Sequence, residues 1–112
     1  MPLEACGILS GGDGIIYTIW PMKNIDQSTV SFSMSTSEIS NVFHLIEKKN
    51  EQVLAIYHSH PTAPAIPSQG DIAYNNYPEL SHVIVSFQNQ VPDMKAYQMV
   101  QNKINPLFIK LI

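Results

Sequence analysis

The sequence predicts one α/β domain spanning residues 1–112, a mixed β-sheet with helices packed on it. Three observations carry this. "VLAIYHSH", residues 53–60, is a nearly unbroken apolar run of the kind a strand covered on both faces requires. A capped amphipathic segment precedes it, and short β-branched, aromatic-rich segments bounded by turn residues flank the pair on both sides.

The elements follow in chain order. "LEACGILS", residues 3–10, is a strand, "SGGDG" a turn and "IIYTIW" the returning strand, which together make a hairpin. Pro21 and "KNIDQS" form a loop. In "TVSFSMS" the apolar Val30, Phe32 and Met34 alternate with serines and predict a half-buried third strand. Ser35 with Glu38 three residues later is a capping box, and Ile39, Val42, Phe43 and Ile46 follow at helical spacing, giving an amphipathic helix of about three to four turns. Pro61 ends the central strand because it has no N–H for the ladder. Beyond a loop with Pro61, Pro64 and Pro67, Ser68 caps a second helix beginning near Gln69. "HVIVSF", "DMKAYQMV" and "PLFIKLI" are the closing strands.

Composition narrows the function classes. A formal charge of -3, a pI near 5.7 and six Lys plus Arg provide no basic stripe for a phosphate backbone, so nucleic acid is not the expected partner. A single cysteine, Cys6, forms no intramolecular disulfide, and "MPLE" is not a secretory leader, which points to a cytoplasmic setting. No apolar run reaches the roughly 20 residues of a membrane span.

The chemistry concentrates in "HSHPTAPAIPSQGD", residues 58–71. Residues two apart on a strand face the same way, so the imidazoles of His58 and His60 lie side by side, roughly 6 to 7 Å apart at the backbone. Asp71, in the first turn of the next helix, folds back over the strand end. Two nitrogens and one oxygen suit Zn2+, and three protein ligands leave the fourth tetrahedral position open, the mark of a catalytic zinc. Each half of the pattern also has a plain reading. Two strand-end histidines can be one packed and one solvated, and Ser68 with Asp71 fits an ordinary helix N-terminus. The joint spacing H-S-H-P-x6-S-x-x-D favours the metal.

With Glu4 on the first strand, these residues resemble the JAMM (MPN+) family of zinc metalloproteases, whose pattern is an early glutamate followed by H-x-H-P-x6-S-x-x-D. Glu4, His58, His60, Pro61, Ser68 and Asp71 match it without substitution, and "PLEACGILSGG" is similar to the first strand of the prokaryotic members. The resemblance implies an MPN fold, a cytidine-deaminase-like α/β sandwich with a mostly antiparallel sheet. It implies His58, His60 and Asp71 as zinc ligands, Glu4 as general acid/base and Ser68 as oxyanion donor. It also implies a metallo-isopeptidase or peptidase that cuts after the C-terminal glycine of ubiquitin-like or sulfur-carrier proteins. The roles are chemically coherent, since one carboxylate can take the proton of the attacking water and return it to the leaving amine.

Other polar residues carry weaker signals. Cys6 shares the strand face of Glu4 and Ile8 and is expected to be a small buried residue, with a place beside the metal as the alternative. His44, on the helix flank, and His82, opening a later strand, are expected to be surface or structural. Trp20 and the methionines read as core or rim. The loop from Pro21 to Thr29 and "PTAPAIP" are candidate rims of a groove in which an extended tail adds beside a sheet edge. Family members carry an amphipathic helix ahead of the glutamate strand, where this sequence has only Met1, Pro2 and Leu3. The expectation is an uncovered apolar sheet face, a homo-oligomer and a weakened hold on Glu4. A second reading is therefore an MPN-fold binding or assembly module with little peptidase activity. A third, from bacterial DNA-repair-associated proteins with the same H-x-H-P and S-x-x-D elements, is disfavoured by the acidic pI.

Overall fold

The computed structural model describes residues 3–29, 31–73, 77 and 79–109. In chain order it contains β1 (Cys6–Gly12), β2 (Ile15–Met22), α1 (Thr36–Lys48), β3 (Gln52–His60), α2 (Gln69–Ala73), β4 (Ser81–Ser86), β5 (Asp93–Val100) and β6 (Lys103–Leu107). The strands form one sheet in the order β2-β1-β3-β4-β5-β6, with β3 and β4 parallel and every other neighbouring pair antiparallel. The apolar run therefore lies inside the sheet, as its composition predicts, and the sheet is mixed and mostly antiparallel.

Local chemistry explains the turns. Asp13 and Gly14, at φ 54° and 76°, make the two-residue turn of the β1–β2 hairpin, the conformation that an Asp-Gly pair favours. Ser35 caps α1 by accepting from Glu38 N–H at 3.4 Å. Asn50, at φ 58°, closes it, with Glu51 N–H donating back to the Ile46 carbonyl at 3.1 Å. Ile39 and Ile46 of α1 bury against Ile8 of β1, with Trp20, Met22 and Val53 packed around them. On the same side of the sheet, Ile72 of α2 packs against Ile84, Tyr97 and Met99.

Both described helices thus cover one face. On the other, Leu9, Ala55, Val83 and Ala96 form a thin apolar layer with Tyr57 and Ile109 against it. Ile19, Met94 and Leu107 share that face by register and are 63%, 46% and 38% exposed. Among the described residues no helix packs on this apolar face. No described helix is long and apolar enough to cross a membrane.

Three expectations need correction. Residues 31–35 form no strand, and Val30 lies outside the described residues. The backbone of this segment finds its hydrogen bonds elsewhere: Asn24 Nδ2 donates to the Ser31 carbonyl at 3.0 Å, Ser33 N–H donates to Asn24 Oδ1 at 3.1 Å, and Ile25 N–H donates to the Ser33 carbonyl at 2.9 Å. With those groups satisfied no ladder is needed. Pro21 belongs to β2, tolerated because β2 is an edge strand. The last described strand, Lys103–Leu107, begins three residues ahead of the expected 106–112, since Gln101 and Asn102, at φ 52° and 62°, make a tight turn directly after β5; residues 110–112 lie outside the described residues.

Candidate metal centre

β3 brings His58 and His60 to its end on the helix-covered face, 1% and 4% exposed. Their Nε2 atoms are 3.0 Å apart, and Asp71 Oδ2 is 3.2 Å from each. Among the described residues these three side chains form the one group able to hold a metal ion. The edges of this triangle are close to the separation of about 3.3 Å that tetrahedral zinc bonds of about 2.0–2.1 Å would set. Three lone-pair atoms crowded on one point repel one another unless a proton or a cation sits among them. The donor set and its convergence are compatible with zinc.

Neighbouring groups fix the orientation of two of the three. His60 Nδ1–H donates to the Pro64 carbonyl at 2.8 Å, which leaves Nε2 with its lone pair toward the triangle. The proline-rich loop thus holds a tautomer as well as closing the path to α2. Ser68 N–H donates to Asp71 Oδ2 at 2.9 Å, and Asp71 N–H donates to Ser68 Oγ at 3.1 Å, a reciprocal cap that turns the carboxylate onto the histidines. His58 is held differently: Phe32 stacks on its ring, with centroids 4.6 Å apart and planes at 22°.

The charges are strongly coupled. Burial pushes Asp71 up, but hydrogen bonds from His58 and His60, the His58 charge and the Ser68 N–H hold it well below the usual carboxylate range. Burial pulls His60 down, and the Asp71 hydrogen bond, the Pro64 carbonyl and the Asp71 and Glu4 charges outweigh it and raise it. Burial alone would raise Glu4, and with nearby His60 lowering it and Asp71 raising it the carboxyl is pushed up to about 7. That value suits a group that takes and returns protons near neutrality.

Glu4 is 3% exposed and precedes the first residue of β1. Its N–H donates to the Ser28 carbonyl at 2.8 Å, and its carbonyl accepts from Asn24 Nδ2 at 3.0 Å. Ser59, between the two histidines, adds a third tie: its Oγ accepts from Ala5 N–H at 2.8 Å and its N–H donates to the Ala5 carbonyl at 2.9 Å. The weakened hold expected for Glu4 is therefore not what the structure has. Glu4 Oε1 has no hydrogen-bond partner among the described residues.

Two cavities meet at Ser68. A small one of about 160 Å³ is lined by Glu4, His60, Pro61 and Thr62. A larger one of about 570 Å³ is lined by His58, Asp71, Phe32, Met34, Ile39 and His82. His58, His60, Ser68 and Asp71 are thus brought together as the spacing predicts, and Glu4, which the family pattern supplies, lies beside them. Cys6 is buried opposite His58 in the β1–β3 register, its Sγ–H on the Met22 carbonyl at 3.8 Å. Burial, with Glu4 and Asp26 nearby, pushes the thiol up to about 11, so it is no ready ligand or nucleophile. His44 is exposed, as expected. His82 is not a surface residue: it is 5% exposed and lines the larger cavity. Asn24, Phe32 and Ser59 carry no motif; only the polar loop around Asn24 and the alternation around Phe32 hinted that these segments turn inward.

The chain belongs to the family described as prokaryotic homologs of the JAB domain, whose model matches residues 1–100. It is 29% identical over 106 residues to the CysO-cysteine peptidase of Mycobacterium tuberculosis, covering 92% of this chain and 73% of that protein. It is 30% identical over 109 residues to the desampylase of Pyrococcus furiosus, covering 96% and 75%. A solution structure of a protein from Desulfitobacterium hafniense superposes with a TM-score of 0.86 at 33% identity, covering 96% of this chain and 77% of that one.

Proposed function

We propose that this chain is a zinc-dependent peptidase or isopeptidase that cleaves after the C-terminal glycine of ubiquitin-like or sulfur-carrier proteins. The observation that carries the reading is the convergence of His58, His60 and Asp71 on one point, with the buried Glu4 carboxyl lining the cavity beside His60. The names of the relatives supply the substrate class: one acts on CysO-cysteine, and another is a desampylase.

In this reading His58 and His60 hold zinc through Nε2 and Asp71 through Oδ2. Zinc supplies Lewis-acid activation of a water and of the scissile carbonyl when bound. Glu4 accepts a proton from the attacking water through its unpartnered Oε1 and passes it to the leaving amine. Ser68 Oγ already accepts from Asp71 N–H, so its own hydrogen is free to donate to the oxyanion that develops on the carbonyl. Asp71 remains ionised throughout. The protein is assigned to the cytoplasm, in keeping with its one buried cysteine.

The test is cleavage of a panel of ubiquitin-like and sulfur-carrier proteins with C-terminal extensions, by zinc-loaded and chelator-stripped protein. Cleavage after the glycine in the loaded sample alone supports the reading, and a metal-independent cut contradicts it. The apolar face bearing Ile19, Met94 and Leu107 favours a second reading, an assembly module that forms homo-oligomers. Zinc binding without cleavage of any member of the panel would select it.

A further inference from the structure

His58 carries an unmet requirement that His60 does not. A histidine that ligates through Nε2 bears its proton on Nδ1, and such a proton is normally received by a carbonyl, a carboxylate or a water that orients the ring. His60 gives its own to the Pro64 carbonyl. His58 Nδ1 is buried and has no partner among the described residues. Among the described residues one other buried ring nitrogen has none, His82 Nε2.

These two atoms are complementary. His82 is hydrogen-bonded to the Tyr77 backbone, an interaction that favours its protonated form and so marks a carbonyl acceptor. With Nε2 unpartnered, Nδ1 is the nitrogen that donates there, and in the neutral ring Nε2 is then an acceptor. The β3–β4 register pairs Ile56 with His82 and His58 with Ile84, so the two histidines are diagonal neighbours on one face of the sheet. Strands lie about 4.8 Å apart and rise about 3.3 Å per residue, so these diagonal neighbours are roughly 8 Å apart at the backbone, and with no direct bond between the two nitrogens one intervening water is what would join them. Both rings line the larger cavity. Phe32 covers the flat of the His58 ring, so the ring's remaining freedom is rotation within the stack, which a partner for Nδ1 would stop.

We propose that His82 is a positioning residue for the metal centre, its Nε2 accepting the His58 Nδ1–H hydrogen bond through one water and so holding His58 Nε2 toward the metal. This rests on the reading of His58 as a ligand, and His82 itself touches neither metal nor substrate.

The test combines two variants with a measurement on the unaltered protein. Zinc affinity is measured by chelator competition without substrate. His82→Phe, which fills the space and removes the acceptor, should weaken zinc about tenfold or more. His82→Gln, which restores an acceptor at a similar reach, should stay within about threefold of the original protein. Equal losses in both variants, or none in Phe, would overturn the proposal. If His82→Phe does not fold, nitrogen-15 NMR of the zinc-loaded original protein decides: His82 protonated at Nδ1 and a solvent-protected proton on His58 Nδ1 are expected, and His82 protonated at Nε2 contradicts it. Failure of the original protein to bind zinc would instead defeat the ligand assignment, so the two failures are distinguishable.

Discussion

Asn24 donates through Nδ2 to the backbone carbonyl of Glu4 at 3.0 Å. The same side chain accepts from Ser33 N–H and Asp26 N–H, both at 3.1 Å, and donates to the Ser31 carbonyl at 3.0 Å. One buried amide thus ties the segment carrying the acid/base candidate to the segment that places Phe32 on His58. Asn24→Ala removes these bonds and leaves buried backbone groups unpaired, at a cost of roughly 1–3 kcal/mol. The expected outcome is a lower unfolding midpoint with turnover reduced more than zinc affinity, read by denaturant melts, kinetics and chelator competition. A variant with unchanged kcat would show that Asn24 does not position Glu4.

Ser68 combines two duties that substitution separates. Loss of its Oγ as acceptor for Asp71 N–H should cost about 0.5–2 kcal/mol of stability. Loss of an oxyanion donor should lower kcat on the order of 10²–10³-fold. Ser68→Ala keeps the backbone N–H that holds Asp71 Oδ2, so zinc should remain bound. A melting shift with kcat within a few-fold of the original would reduce Ser68 to a helix cap.

The metal-free protein should lose stability as pH rises from 6.5 to 8. Glu4 titrates near 7 in the fold against an ordinary 4.5, so the fold favours its protonated form and that contribution is lost as pH passes 7. His60 is raised above its ordinary 6.5, and its contribution is lost over the same window and beyond. His82 is lowered, burial being the main cause, so its opposite effect is complete by about 6.5. Zinc requires deprotonated ligands, so the gap in melting temperature between loaded and metal-free protein should widen across the window. Calorimetry at both pH values checks this, and a gap that narrows would contradict the ligand set.

Gly7 lies where β1 passes beneath the Tyr57 ring. A Cβ there would clash with the Trp20 carbonyl oxygen and with Tyr57 Cε1, and the first of these is backbone that cannot swing away. Gly7→Ala should cost roughly 1–3 kcal/mol. Because neighbouring Cys6 pairs with His58, zinc affinity should fall with stability. A melt within 1 °C of the original, with affinity intact, would mean the strands separate freely there.

Most of the candidate metal centre was legible in the sequence because each part is local: a strand end, a rigid loop and a helix cap, all within residues 58–71. Glu4 was legible through the family pattern, whereas its environment was not, since the ties from Ser28, Asn24 and Ser59 cross long stretches of chain. The failure at residues 31–35 has the same origin. Alternation of Phe32 and Met34 with serines fits a strand, but Asn24, seven to nine residues away, takes over the backbone hydrogen bonds and turns Phe32 onto a histidine. His82 read as surface or structural because a lone strand histidine carries no signal of the cavity it lines.

The most direct measurement of the central claim is zinc content and cleavage on the same samples of the original protein and Glu4→Gln, using a sulfur-carrier protein with a C-terminal extension. One zinc per chain is expected in both, with the extension cut by the original and turnover reduced at least about 10²-fold in the variant. Equal cleavage by the two, or cleavage without zinc, would contradict that claim.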